Sequence, residues 1–247
     1  MDSPLLNDGE RLDDLGRENY RLIQNPARFC FGMDAVLLAA FGEVHAGEKA
    51  ADLGTGTGVI PILMRARYPG RSYTGIEIDP VSADMAARSV RLNHLEEDIR
   101  IVCADLREAG RLFKAASFDV VTANPPYMIA GHGAPPRDIH VAGARHEIFC
   151  TLEDTVKAAS YLLREQGRFY MVHRPFRLSQ IICTLTKYRL EPKRMCLVCP
   201  SAEAEPNMVL IEARRGGNPG MRVEPPLIVY GEDGEYTKQL LEIYYGE

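Results

Sequence analysis

Four consecutive residues, Asn124-Pro125-Pro126-Tyr127, carry the most chemistry per residue in the chain. They follow Phe118-Asp119-Val120-Val121, an apolar run that reads as a strand. Neither proline can donate to a sheet ladder, so the strand has to stop there. The residue before each proline is pushed toward extended geometry, which stiffens the corner. A stiff corner that offers a side-chain amide, bare carbonyls and an aromatic ring is either a plain turn or a site.

Three carboxylates stand at the ends of other strands. Asp52 lies in Ala50-Ala51-Asp52-Leu53 and precedes the turn Gly54-Thr55-Gly56-Thr57-Gly58. Glycines let the backbone turn sharply and let a ligand lie against the main chain, and the helix that follows offers free N–H groups. Glu77 follows 25 residues after Asp52, in Gly75-Ile76-Glu77-Ile78-Asp79. In doubly wound folds an acid at the second strand's end can accept from ribose hydroxyls. Glu77 suits that role, whereas Asp79, just before Pro80, suits a helix cap. Asp105, in Cys103-Ala104-Asp105-Leu106, is placed either to accept from an adenine amino group or to cap a helix. Nicotinamide and S-adenosylmethionine sites share this layout. The dinucleotide fingerprint is GxGxxG, and this chain has GxGxG instead.

The elements that must position these residues alternate from about residue 49. Strands are expected at Ala50–Leu53, Ser72–Ile78, Arg100–Ala104, Phe118–Ala123, 168–173, 194–199 and 208–213. Helices are expected at 58–67, 80–93, 152–164 and 177–187. Repeated strand–helix units imply a doubly wound α/β fold of the Rossmann-like type. Its seven-stranded sheet is mostly parallel, with an antiparallel hairpin at the edge. Residues 9–25 read as a small hairpin and Met33–Val44 as a helix, with Asp34 near its start. The whole is expected to be a single domain: a hairpin and helix over 1–48, a core over 49–213 and a tail over 214–247.

The 247 residues are 46% hydrophobic and 26% charged, ordinary for a globular protein. No apolar run has the length of a membrane span, and the acidic start MDSPLLNDGERLDDLG does not read as a secretory signal. Six scattered cysteines make no disulfide framework, and Cys196-Leu-Val-Cys199 has no further ligands nearby for a metal, so a reducing cytoplasm and no metal site are expected. The net charge of −5 argues against broad nucleic-acid binding. It is uneven, however. Residues 164–194 hold eight lysines and arginines against Glu165 and Glu191, a phosphate-binding face or a solvated helix face. His132, His140 and His146 read as surface histidines in a long loop, 128–147, of a length usually functional or disordered.

Taken in order, ADLGTGTGV, GIEID, CADL and NPPY resemble the motifs of class I S-adenosylmethionine-dependent methyltransferases that act on planar exocyclic or amide nitrogens. The resemblance implies that Asp52, Gly54 and Gly56 line the methionine half of the cofactor, that Glu77 holds the ribose, and that Asp105 and Leu106 hold the adenine. Asn124 and Pro125 would accept from the target amino group and favour the tetrahedral amine that forms as the methyl arrives. Pro126 would fix the corner and Tyr127 would stack on the base. ERLDDLGRENYRLIQNPARFCFGMDAVLLA and Ala144-Arg145-His146-Glu147 extend the likeness to the bacterial family that methylates N6 of an adenine beside the anticodon of valine tRNA. On that resemblance Phe29, Phe31, Gly32 and Asp34 close over the methionine end, and a tRNA anticodon stem-loop is the partner of a monomer. Arg137, Arg145, Arg174 and Arg177 are the expected phosphate contacts. Ribosomal RNA guanine N2, DNA adenine and a release-factor glutamine amide remain alternative targets, and a cofactor-binding scaffold or a nicotinamide oxidoreductase the alternatives in kind.

Overall fold

The computed structural model describes residues 6–127 and 150–246. Two short strands, β1 (Arg11–Asp14) and β2 (Arg21–Gln24), form a separate antiparallel hairpin, and α1 (Met33–Phe41) follows. The alternating core then runs β3 (Lys49–Leu53), α2 (Val59–Arg67), β4 (Ser72–Glu77), α3 (Pro80–Leu92), β5 (Ile99–Cys103), α4 (Ala109–Leu112) and β6 (Phe118–Ala123). After the undescribed stretch come α5 (Leu152–Leu162), β7 (Leu163–His173), α6 (Leu178–Lys187), β8 (Leu190–Cys199), β9 (Met208–Arg215), β10 (Arg222–Val223), β11 (Leu227–Ile228) and α7 (Lys238–Tyr245).

The main sheet has the order β5-β4-β3-β6-β7-β9-β8-β10, with β11 also on β8. Pairing is parallel from β5 to β7, and β9 runs antiparallel to both of its neighbours. All seven expected strands are present. The antiparallel hairpin is β8–β9, with β9 in the inner place between β7 and β8, but the expected seven-stranded sheet is corrected to nine strands: β10 and β11 pair parallel to β8, so the hairpin is not the outermost element. The first six residues of β9 are buried on both faces, Glu212 among them through its ion pair with Arg194, as befits a strand inside the sheet. Two strands start earlier than the sequence implies. β7 begins directly after α5, with Gln166 in the left-handed region and a register shift opposite Phe118–Val120. β8 takes Pro192 into the ladder at another register shift, where its missing N–H is tolerated.

Alternation along each strand splits the core in two. Ala50, Tyr170 and Val172 face α1, α2 and the hairpin, whereas Ala51, Phe169 and Met171 face α5 and α6. Helix starts follow the sequence. Asp79 caps α3, its carboxylate accepting from Ser82 N–H at 3.0 Å, with Pro80 in the first turn. Thr151 and Asp154 form a reciprocal capping box on α5. From β3 the chain proceeds to one side of the sheet, and β6 lies on the other. The carboxyl ends of β3 and β6 therefore border the crevice where doubly wound sheets bind ligands.

Candidate active site

A cavity of about 580 Å³ opens at that crevice. Its floor is the glycine turn. Gly54 and Gly56 have φ of +70° and +57°, and a Cβ at either would meet no protein atom within 4 Å. The backbone there is in the left-handed region that glycine tolerates and is bare toward open space. Glu77 locks the turn: one carboxylate oxygen accepts from Gly56 N–H at 2.8 Å and the other from Asp79 N–H at 2.9 Å. Burial raises the Glu77 pKa, and these backbone bonds work against that rise. Each oxygen keeps a lone pair for a ligand hydroxyl.

The other two strand-end acids sit differently. Asp52 does not line the cavity. It is buried at the register position opposite Thr122 of β6, whose hydroxyl donates to it at 2.6 Å. The expectation of a lining residue is corrected here, because the side chain turns into the sheet. Burial pushes its pKa up to about 7, offset in part by Thr122. Asp105 does line the cavity with Leu106. It also caps the short helical turn at Leu106–Glu108 and is held by Arg107, with contacts of 2.5–3.0 Å that keep its pKa low. Both alternatives read for Asp105 are thus compatible with its position.

The corner after β6 forms the opposite wall, and Asn124, Pro125, Pro126 and Tyr127 all line the cavity. The Tyr127 hydroxyl lies 2.6 Å from Asn124 Oδ1 and 2.6 Å from Asp34 Oδ2 of α1. Burial, then the Asp34 charge, holds the Tyr127 pKa well above that of a free phenol. The Arg174 guanidinium sits over the Tyr127 ring at 4.9 Å, and His173 meets the ring edge at 5.2 Å. One ring face is therefore covered by Arg174, which leaves only the other for a base. Arg177 is not a surface cation. Only 3% of it is exposed, its Nε donates to Gln180 at 2.9 Å, and its Nη1 reaches the Tyr127 carbonyl at 3.4 Å. The expected phosphate contact is corrected to a strut under the corner. Arg174, anchored on the Asn207 carbonyl at 2.7 Å, does face the cavity.

A strap from Asn25 to Gly32 crosses the cavity on the glycine-turn side, and Phe29, Phe31, Gly32 and Asp34 line it. The residues that fasten the strap carry no motif. Buried Gln24 accepts from Phe31 N–H at 3.1 Å and donates to Thr57 Oγ1 in the glycine turn. Arg28 pairs with Asp79 at 3.0 Å. Neither was legible in the sequence. A polar residue ending a strand, as Gln24 does, is the only signal available.

The sequence profile of the family described as "Methyltransferase small domain" matches residues 22–185. The chain belongs to that family. This methyltransferase-family chain is 31% identical over 220 residues to a Porphyromonas gingivalis protein named tRNA1(Val) (adenine(37)-N6)-methyltransferase, covering 86% of each chain. An Aeromonas hydrophila protein of the same name is 26% identical, over 86% of this chain and 87% of its own. In fold it is similar to a crystal structure described as a predicted O-methyltransferase from Agrobacterium tumefaciens, with a TM-score of 0.71 and 23% identity over 87% of this chain and 96% of that one.

Most cations of the basic segment of this methyltransferase chain are paired with acids, several of them at the surface. Arg164 pairs with Asp119, Arg168 with Glu48, Lys187 with Glu153 at 2.6 Å, and Arg194 with Glu212 at 2.9 Å. These pairs tie β7, α6 and β8 to the acidic body, so the segment is not one continuous cationic face. Arg137, Arg145 and the three loop histidines lie outside the described residues. Among the described residues no three His, Cys, Asp or Glu side chains gather as a metal site, and no helix is long and apolar enough to cross a membrane.

Proposed function

We propose that this chain transfers a methyl group from S-adenosylmethionine to N6 of an adenine in tRNA, adenine-37 of valine tRNA. The observation that carries the reading is the rigid Asn124–Tyr127 corner facing the bare glycine turn across one cavity. The near full-length relatives of that name support the substrate.

The residues present fit the cofactor. The space above Gly54 and Gly56 is a cradle that any side chain would fill, Glu77 offers acceptors for ribose hydroxyls, and the half next to Asp105 and Leu106 suits an adenine. Once bound, S-adenosylmethionine supplies an electrophilic methyl group on a sulfonium. The protein's part is positional. An exocyclic amine is planar because its lone pair is delocalised into the ring. The Asn124 side-chain oxygen and the Pro125 carbonyl can each accept one N–H, which favours the pyramidal nitrogen whose lone pair attacks. The two prolines hold those acceptors without reorganisation. No strong general base is required, since the alkylated amine becomes acidic and gives its proton to solvent. Tyr127 can stack on an unpaired base, and Arg174, which lines the cavity, can meet the phosphate of the anticodon stem-loop.

The test is labelled methyl transfer into tRNA from cells lacking the modification, with nucleosides identified by mass spectrometry and Asn124→Ala as control. N6-methyladenosine from wild type alone is expected. No label in tRNA, with tight cofactor binding, overturns the substrate and turns attention to ribosomal RNA or release factors.

A further inference from the structure

The contacts at the corner pose a counting problem. The Tyr127 hydroxyl has one proton, yet it lies 2.6 Å from two acceptor atoms, Asn124 Oδ1 and Asp34 Oδ2. Donation to one leaves the other contact as two oxygens pressed together. Two arrangements resolve this. Asp34 could carry a proton, or the Asn124 amide could be turned by 180°, so that its NH₂ donates to Tyr127 and Tyr127 donates to Asp34. Amide orientation is fixed by the hydrogen-bond network rather than by atom positions. Asp34 stands in the first turn of α1, where the helix dipole favours negative charge, and its other oxygen accepts from Ala35 N–H at 2.9 Å. Both features favour a carboxylate, which can only accept. Buried Tyr127 keeps its proton, so it is a donor to that carboxylate.

We infer that Asp34 is a positioning residue for methyl transfer: by accepting the Tyr127 hydroxyl hydrogen bond it leaves the Tyr127 oxygen as an acceptor for the Asn124 NH₂, which turns Asn124 Oδ1 into the cavity toward the target amine. The inference rests on the role given to Asn124 above. It also changes the part expected of Asp34, from a wall of the methionine site to the last member of a relay. Without Asp34, Asn124 Oδ1 is the remaining acceptor of the Tyr127 hydroxyl among the described residues, and the acceptor the substrate needs is consumed. Tyr127 would then be inhibitory.

That sign reversal makes the test. Asp34→Ala is expected to lower kcat about 30-fold and Tyr127→Phe about tenfold, through loss of one aligned acceptor. The double variant Asp34→Ala/Tyr127→Phe is expected to match Tyr127→Phe, and so to be faster than Asp34→Ala alone. Asp34→Asn keeps an acceptor oxygen and is expected to recover at least about fivefold over Asp34→Ala. The Kd for S-adenosylmethionine should stay within about threefold throughout. A double variant slower than Asp34→Ala, or Asp34→Asn no better than Asp34→Ala, overturns the relay. So does a large loss of cofactor affinity in Asp34→Ala, which would make Asp34 a cofactor contact. A readout without substrate separates this from the proposed activity. In ¹⁵N-resolved NMR of the wild-type protein, the Asn124 side-chain NH₂, assigned by its absence in Asn124→Ala, should move upfield in Tyr127→Phe. An unmoved NH₂ signal overturns the relay even if the enzyme methylates tRNA. Conversely, a shifted signal in an enzyme inactive on tRNA leaves the relay standing and the substrate reading refuted.

Discussion

On the β3–β4–β5 side of the cavity the strand-end acids, Glu77 and Asp105, are held mostly by groups close by in sequence: Asp79 N–H for Glu77, together with Gly56 N–H of the glycine turn, and Arg107 for Asp105. On the β6–β7 side, Asn124 and Tyr127 are held by Asp34 of α1, by His173 at the carboxyl end of β7, and by Arg174 and Arg177 of the short helical turn that follows it. One wall is built locally and is acidic. The other is assembled from distant elements and is lined by an amide, a phenol and cations. The acidic wall suits the hydroxyls and amines of a cofactor. The second wall suits a planar base carried on a phosphate chain. The division implies that binding and chemistry can be damaged separately.

The hardest break should come at the corner. Asn124→Ala is expected to lower kcat at least about a hundredfold, the scale of losing one preorganised group at a reacting centre. Its cofactor Kd should change less than about threefold. Isothermal titration and single-turnover methyl transfer measure the two quantities. A parallel loss of cofactor binding would mean that the walls are one unit.

Glu77→Ala is the mirror experiment. It removes the ribose acceptor and also frees the Gly56 N–H that Glu77 holds at 2.8 Å. A rise in cofactor Kd of about tenfold to a hundredfold is expected, matching one or two hydrogen bonds to a charged group, with kcat at saturating cofactor largely kept. A kcat loss as deep as that of Asn124→Ala would erase the comparison.

The local wall is also the legible one. Asp52, the glycines, Glu77 and Asp105 stand at strand ends that apolar runs and punctuating glycines make visible in the sequence. Even so, spacing could not say that Asp52 turns into the sheet toward Thr122, since both neighbours of a central strand are set by topology. The assembled wall was visible only at its proline-stiffened centre. The burial of Arg177 and the reach of Asp34 across 93 residues to Tyr127 depend on how α1 and β7 pack. Likewise the run of cations over 164–194 reads as a phosphate-binding face or a solvated helix face, because sequence shows its charges but not which glutamates and aspartates meet them in the fold.

Arg174 and Arg177 sharpen this point at smaller scale. They are three residues apart and of one type, yet one faces the cavity and the other is 3% exposed. Arg177→Ala is expected to cost about 1 kcal/mol of stability, because it removes a buried side chain together with its hydrogen bonds to Gln180 and the Tyr127 carbonyl, and to lower Tm in a thermal melt. Arg174→Ala should leave Tm within a degree or so while raising the KM for tRNA, with a shallower salt dependence of about one fewer phosphate contact. Equal melting temperatures for the two variants would place Arg177 in the wrong environment.

The smallest effect is one of pH, and it sets against each other two buried groups that lie behind the two walls. Buried Asp52 has its pKa raised from an ordinary 3.8 to about 7 by desolvation, and buried His173 has its pKa lowered from 6.5 to about 3 by desolvation and by Arg177 and Arg174. The folded protein therefore holds a proton on Asp52 that the unfolded chain has lost, so stability from this group is present below about pH 4 and is lost as pH rises toward about 7. For His173 the unfolded chain holds the extra proton. Its contribution is present above about pH 6.5 and is lost as pH falls toward about 3. Between about pH 4 and 6.5 the slopes have opposite sign and offset each other. Removing one group should uncover the other: with Asp52→Asn, denaturant stability is expected to rise with pH across that window, and with His173→Gln to fall. If neither variant changes the slope, both groups titrate normally in the fold, and the two walls differ in their contacts but not in how they store charge.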